Sequence, residues 1–347
     1  MSFFEVIPAG TKIDFIGRRK ISASISALVL LAGIVAVFTR GVHYGIDFAG
    51  GTEMQVLFTA ESGADEGAIR SVCNACGVKD ASVVRYGETD QAEFLIRFRM
   101  DDAGERAAAV ASADCPLTEA DRASLAEAAA AGGGAGDVGE KGELVDRLAL
   151  ALTNAVGPLE VERVEYVGPR VGAELRRDGL YAMGIASLLI LAYIAFRFST
   201  RFAPGAVLAL VHDVSVTAGV FVIFGMEFDL RVLAALLAIL GYSLNDTIII
   251  YDRIRENMEL RTKHDLVEVL NQSVNQTLAR TILTSGTTMV AVMALLLVGG
   301  EVIRPFAIAM AIGIVVGTYS SIFIAAPTLL FLETRLKSGE GSGKARK

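Results

Sequence analysis

Apolar residues follow two different rhythms along this chain. Six runs are almost continuously apolar: Ile21–Phe38, Leu180–Phe198, Ala203–Gly225, Leu230–Tyr251, Thr281–Val298 and Pro305–Leu332. A helix of about 20 apolar residues crosses a hydrocarbon core about 30 Å thick, so each run predicts a membrane-spanning helix. The sixth is too long for one straight span, and its ends are expected to tilt or to pass beyond the core. Between the first two runs the rhythm changes. Glu53–Phe58, Ala81–Tyr86, Glu93–Arg99 and Leu159–Val167 alternate or cluster β-forming residues, with a turn at 87–91. Asp65–Cys76 and Glu143–Val156 repeat apolar residues at helical spacing, the latter through Leu144, Val145, Leu148 and Leu152. The order strand-helix-strand, strand-helix-strand is the split βαβ pattern of ferredoxin-like domains. An Ala/Gly-rich insertion at 103–142 interrupts it, with a helix expected near Thr118–Ala130 and a flexible linker after it.

Composition strengthens the membrane reading. The 347 residues are 53% hydrophobic with a mean hydropathy of +0.50, more apolar than soluble domains of this size. The first run does not read as a cleaved signal peptide, because its charged leader is long and no small-x-small site follows it. The fold class expected is therefore a polytopic α-helical membrane protein: six transmembrane helices with an α+β ferredoxin-like external domain. The predicted layout is an N-terminal segment 1–20, a first span at 21–39, the external domain at 40–178, a bundle of five further spans at 179–332 and a tail at 333–347.

Charge orients that layout. Segment 40–178 holds 25 acidic and 14 basic residues, against 14 acidic and 18 basic elsewhere. Lys12, Arg18, Arg19 and Lys20 precede the first span. Arg197 and Arg201 lie between the second and third. Arg253, Arg255, Arg261, Lys263 and Arg280 lie between the fourth and fifth. Arg335, Lys337, Lys344, Arg346 and Lys347 fall in the tail. Loops rich in Lys and Arg stay cytoplasmic, which places both termini inside and 40–178 outside, in the periplasm of a Gram-negative cell. A partner implied by this layout is the lipid membrane, not nucleic acid.

Chemistry concentrates inside the spans. Ionisable residues there cost about 2.5–3.5 kcal/mol each and point to function. Asp213 sits mid-way along the third run beside His212. Asp246 sits in the fourth run beside Asn245, and Arg253 follows it by seven residues, two helical turns along the same face. Thr281, Thr284, Ser285 and Thr288 recur at three and four along the fifth, a hydroxyl stripe. Together they suggest a polar seam, in which burial and an approaching Arg would move an Asp pKa in opposite directions and so load or unload a proton. Each residue also has a structural reading: Asp213 as interhelical glue, His212 as a neutral packed ring, Asp246 as a cap on a helix break, Arg253 as a membrane-side anchor, and the stripe as helix packing.

Other sites read as structural. The glycines of GIDFAGGTEMQV (45–56) suggest tight turns, with Asp47 capping one; no Lys-Ser/Thr follows, so this is not a phosphate loop. Cys73 and Cys76 fall mid-helix in CNAC, where a redox pair is not expected. They and Cys115 are either unpaired or joined in an incidental disulfide. No metal site and no cofactor is expected.

The motifs GIDFAGGTEMQV, YVGPRVGAELRRDG (166–179), LVHDV (210–214), YSLNDTIIIYDRIREN (242–257) and NQSVNQTLARTILTSGTT (271–288) carry a resemblance along nearly the whole chain. The chain resembles the SecF family of bacterial protein-export subunits, within the resistance-nodulation-division (RND) superfamily. The resemblance implies half of an RND-type permease core. It also implies pairing with a SecD-like subunit, association with the SecYEG channel and SecA, and preprotein substrates. The proton gradient is the implied energy source, and no ATP site is expected. On this resemblance Asp213 is the proton carrier, with Asn245, Asp246 and Arg253 near it. Two other readings remain: an RND-type small-solute exporter, and an intramembrane aspartyl protease using Asp213 and Asp246. The second fits poorly, since His-Asp and Leu-Asn-Asp stand where Tyr-Asp and Gly-x-Gly-Asp would be required.

Overall fold

The chain folds into two units, one formed by Met1–His43 with Asp178–Lys347 and the other by Tyr44–Arg177. This computed structural model describes residues 7–8, 10–59, 63–78, 81–86, 92–99, 112–131, 137–198, 201–260 and 265–344. The first span is α1 (Arg19–Arg40), two residues longer at each end than its apolar run.

The second unit opens on a single helical turn, α2 (Ile46–Ala49), which carries Asp47 in its first turn. Strand β1 (Gly51–Phe58) follows directly. Gly50 joins them at φ +76, a backbone region that L side chains avoid. A Cβ on Gly50 would lie 2.8 Å from Pro169 Cα, and one on Gly172 would lie 2.9 Å from the Gly50 nitrogen. The two glycine motifs that bracket this unit therefore interlock backbone against backbone.

Next come α3 (Glu66–Ala75), β2 (Ser82–Tyr86) and β3 (Ala92–Phe98). Asp65 caps α3 by accepting from the Ala68 N–H. The insertion contributes α4 (Glu119–Ala131), and α5 (Asp137–Ala155) and β4 (Leu159–Val167) complete the unit. The sheet order is β2-β3-β1-β4, with every pairing antiparallel. That is the ferredoxin-like order: β1 and β2 run parallel with β3 slotted between them. Alternate residues of β1, Met54, Val56 and Phe58, join Phe94 and Ile96 of β3 in a buried core. Ile69 and Val72 of α3 and Leu144, Leu148 and Leu152 of α5 cover it. On the opposite face Glu53 pairs with Arg97 directly across the strands.

One expectation needs correction here, and of the two cysteine readings left open the disulfide is the one found. Helix α5 begins at Asp137, inside the stretch read as flexible linker. The cysteines are not idle: Cys76 and Cys115 form a disulfide, while Cys73 is buried and free. The expected turn at 87–91 lies outside the described residues.

The first unit resumes with α6 (Pro169–Arg197), α7 (Ala203–Ile223), α8 (Leu230–Leu260), α9 (Leu266–Val298) and α10 (Gly300–Ser320). A π turn, Ser321–Ala325, links α10 to α11 (Ala326–Lys344). Six helices among the described residues are long and apolar enough to cross a membrane, the sixth being Val302–Arg335. The protein is a polytopic helical membrane protein. Helices α7, α8 and α10 form the bundle's interior, whereas α6 is almost entirely exposed within this chain. Three spans run far beyond their apolar runs. Helix α6 starts eleven residues early, α8 continues through the charged string to Leu260, and α9 starts fifteen residues early at Leu266. Charged and amide side chains are good helix formers once a core-facing stripe persists. Ile254, Val269, Leu270 and Val274 supply that stripe in α8 and α9.

Candidate functional site

Asp213 lies ten residues into the 21-residue α7, about 15 Å from its start. It is completely buried. A carboxyl group in that position must be hydrogen-bonded or neutral, and three side chains meet it. Ser243 of α8 donates to Oδ2. Ser320, at the end of α10, lies 2.8 Å from the same oxygen. Nδ1 of His212 lies 3.0 Å from Oδ1. The other ring nitrogen of His212, Nε2, lies 3.1 Å from Ser26 Oγ on α1. Ser26 Oγ is 3.1 Å from the Tyr319 hydroxyl, which donates to the Ser22 carbonyl at 2.7 Å.

Ser320 ends α10 and Ser321 opens the π turn; adjacent positions are rotated about 100° around the axis, so the two serines serve different partners. Ser320 reaches Asp213, and Ser321 reaches Thr247 of α8 at 2.9 Å. Helices α8 and α10 touch at this level: a Cβ on Gly317 would lie 2.9 Å from Ser243 Cβ.

Asp246 is buried three residues beyond Ser243 but has different partners. Ser285 Oγ of α9 lies 3.3 Å from its Oδ2, and Ser285 also meets Thr318 at 2.7 Å. Thr284, one residue before Ser285, donates to the Arg280 and Thr281 carbonyls of its own helix, both at 3.0 Å. Of the rest of the hydroxyl stripe, Thr281 is buried, while Thr288 also bonds back to a carbonyl of its own helix.

The expected seam is thus split. The structure brings together Asp213 with His212, and Asp246 with Ser285. It does not bring Asn245 or Arg253 to either carboxyl group. Asn245 is exposed on α8, because a residue adjacent to Asp246 is rotated about 100° around the helix. Arg253 pairs with Glu256, one turn further on, at 2.8 Å. The residues missed from sequence are Ser26, Ser243, Thr247, Thr318, Tyr319, Ser320 and Ser321. Their signal was weak: hydroxyls are ordinary in membrane helices. The pair Ser320-Ser321 after Tyr319 was the one cluster to notice. Among the described residues, no three His, Cys, Asp or Glu side chains converge to hold a metal ion.

The arrangement is a buried carboxyl group with a histidine on one oxygen and two hydroxyls on the other, in the middle of an apolar bundle. It can hold a proton or release it into a hydrogen-bonded chain. Comparison with known proteins assigns the chain to a family. Residues 148–335 match the family described as protein export membrane protein SecD/SecF, C-terminal, and residues 35–61 match the SecD/SecF GG motif. The protein translocase subunit SecF of Desulfurispirillum indicum is 40% identical over 93% of this chain and 92% of its own length. That of Pseudomonas aeruginosa is 41% identical over 94% and 93%. The crystal structure of SecDF from Thermus thermophilus, described as a translocon-associated membrane protein, superposes with a TM-score of 0.70 at 32% identity. The match covers 94% of this chain but only 39% of that structure's chain. The chain belongs to the SecF family of protein translocase subunits.

Proposed function

We propose that this chain is the SecF-like half of a proton-driven protein-export motor, working in the cytoplasmic membrane beside a SecD-like subunit. SecYEG and SecA would be its further partners, and emerging preproteins its substrates. Both termini lie in the cytoplasm and the unit Tyr44–Arg177 lies outside. The distribution of Lys and Arg supports that orientation. So does the Cys76–Cys115 disulfide, since such bonds persist in oxidising compartments.

The observation that carries the reading is Asp213, fully buried at mid-membrane and held by His212, Ser243 and Ser320. Its side chain changes charge as a proton arrives or leaves. Each state favours a different arrangement of the α7, α8 and α10 contacts that surround it. A proton crossing 100 mV releases about 2.3 kcal/mol, enough to bias a two-state unit roughly fiftyfold.

The test is Asp213→Asn, introduced into the chain with its SecD-like partner in membrane vesicles. Gradient-dependent preprotein export is expected to vanish while gradient-independent export persists. Unchanged gradient dependence would sink the role given to Asp213. The protease reading loses its geometry, because Asp213 and Asp246 bond to different partners and share no proton between them.

A further inference from the structure

Span one sends two hydroxyl-bearing residues, Ser22 and Ser26, toward the buried site. We propose that His212, Ser26 and Tyr319 form a proton-conducting branch that connects Asp213 with the end of the bundle carrying the chain termini. The inference rests on Asp213 being the proton carrier and adds the route by which that proton reaches the cytoplasm.

Donor accounting gives the branch a direction. The Tyr319 hydroxyl has one proton and donates it to the Ser22 carbonyl. It can only accept from Ser26, so the Ser26 hydroxyl donates to Tyr319. Ser26 has then no proton left for His212, and Nε2 must be the protonated nitrogen that donates to Ser26. The remaining contact, Nδ1 to Asp213 Oδ1 at 3.0 Å, needs one shared proton. Asp213 is therefore either a neutral acid donating to Nδ1 or a carboxylate facing an imidazolium. Either way the last proton of the chain lies between the carrier and the branch.

The groups around it suit conduction. His212 and Ser26 are buried, and Tyr319 is half-buried. Ser22 and Ser26 lie within the first two turns of α1, after Arg18 and Arg19. The His212 and Tyr319 rings stack at 6.0 Å between centroids. Tyr319 also packs on Phe323, and Phe323 on Phe15, so apolar rings sheath the branch. The titratable groups facing the His212 ring are Asp213 from its own helix and Tyr319 from α10. Span one faces it with Ser26, and α8 contributes Ser243 through Asp213. Asp246 belongs to another network, through Ser285 and Thr318.

One passage moves one proton with each bond balanced. The Asp213 O–H breaks as Nδ1–H forms, and Nε2–H breaks as a Ser26 O–H forms. The former Ser26 proton passes to the Tyr319 oxygen, whose own proton leaves to water. Ring and hydroxyl rotation restore the starting orientation before the next proton.

The experiment measures gradient-dependent export in vesicles holding the chain with its SecD-like partner and the translocase, with the pH on each side clamped independently. Ser26→Ala and Tyr319→Phe are expected to slow that export by roughly a hundredfold. They should also flatten its dependence on cytoplasmic-side pH while leaving the dependence on external pH. Ser26→Thr, which keeps the hydroxyl, should restore both. Wild-type rate and pH profile in both variants, with Asp213→Asn still inactive, would overturn the branch and leave the carrier reading standing. So would slowed export with an unflattened profile that Ser26→Thr does not rescue, since that is the mark of a packing role. Tyr319→Phe keeps the ring and its stacking, so it reports on the hydroxyl even if Ser26→Ala fails to accumulate. Gradient-dependent export in Asp213→Asn would overturn the carrier reading, and the branch with it.

Discussion

Two carboxylates were legible because of their cost. An Asp inside an apolar run carries an insertion penalty that only a function or a strong structural need offsets, and this singled out Asp213 and Asp246, between which only the family resemblance chose. The partners of Asp213 were not legible, because they come from far along the chain and are chemically modest. Ser243, Ser320 and Ser26 lie 30, 107 and 186 residues from the groups they contact. Spacing along one helix also misled: Asp246 and Arg253 share a face, yet Arg253 finds Glu256 closer. The residue that sets the site's dimensions is a glycine. A Cβ at Gly317 would lie 2.9 Å from Ser243 Cβ, with helix backbone behind both. Gly317→Ala must therefore push α8 from α10 and draw Ser243 away from Asp213. Overpacking of this kind costs about 1–3 kcal/mol. The variant should accumulate in the membrane and keep a folded ferredoxin-like unit, while losing most gradient-dependent export. Full export at normal expression would show that the α8–α10 contact does not set the geometry around Asp213.

At the scale of elements, apolar runs located all six spans but not their ends. A run reports where lipid or core is met; it does not report where a helix stops, because polar residues continue it when one stripe stays buried. The extension of α9 has a specific task that its sequence conceals. Asn271 and Asn275 stand one turn apart on α9. In the structure they hold the segment before α1. Asn275 exchanges two hydrogen bonds with the backbone of Ile13, at 2.9 and 2.8 Å. Asn271 Oδ1 accepts from the N–H groups of Phe15 and Ile16, both at 2.9 Å, and its Nδ2 donates to Asp14. The Gly17 N–H, with Asn271, keeps the Asp14 carboxyl group below its usual range. The strap therefore weakens as the pH falls through the lowered Asp14 pKa. Phe15 and Ile16 are thereby set into the core of the bundle. Asn271→Ala leaves two part-buried N–H groups without a partner, at about 1–3 kcal/mol each. Amide exchange at Phe15 and Ile16 should accelerate at least about tenfold, since 1.4 kcal/mol is a decade, with the centre of α8 unchanged. Equal exchange in wild type and variant would show that apolar packing alone seats the strap.

For the whole molecule, the division into a bundle and a ferredoxin-like unit was legible from the change of rhythm, and the βαββαβ order followed from counting strands and helices. What counting could not reveal was how an Ala/Gly-rich insertion is fastened to that unit. The fastening is a set of contacts between distant residues. Ser112 Oγ donates to the Ala75 carbonyl at 2.7 Å, and Arg147 donates to the Ser112 carbonyl at 2.7 Å. Asn154 donates to Asp121 at 2.8 Å, and the disulfide ties Cys115 to Cys76 at the end of α3. Burial pushes the neighbouring Cys73 thiol up to about 12, so it stays protonated and does not exchange with the bond. Closing a loop with a separation of 39 residues restricts the unfolded chain by about 4 kcal/mol in the chain-entropy account. Replacing both cysteines, Cys76→Ser with Cys115→Ser, should therefore lower the stability of the ferredoxin-like unit by roughly 2–4 kcal/mol. Because the two units have separate cores, the bundle should melt as before. Limited proteolysis of the full chain in detergent reads both: cleavage near Arg122 should come at lower denaturant, and cleavage within the bundle should not move. If the bundle shifted equally, the two units would be unfolding as one, and the insertion's fastening would matter to the site at Asp213 as well.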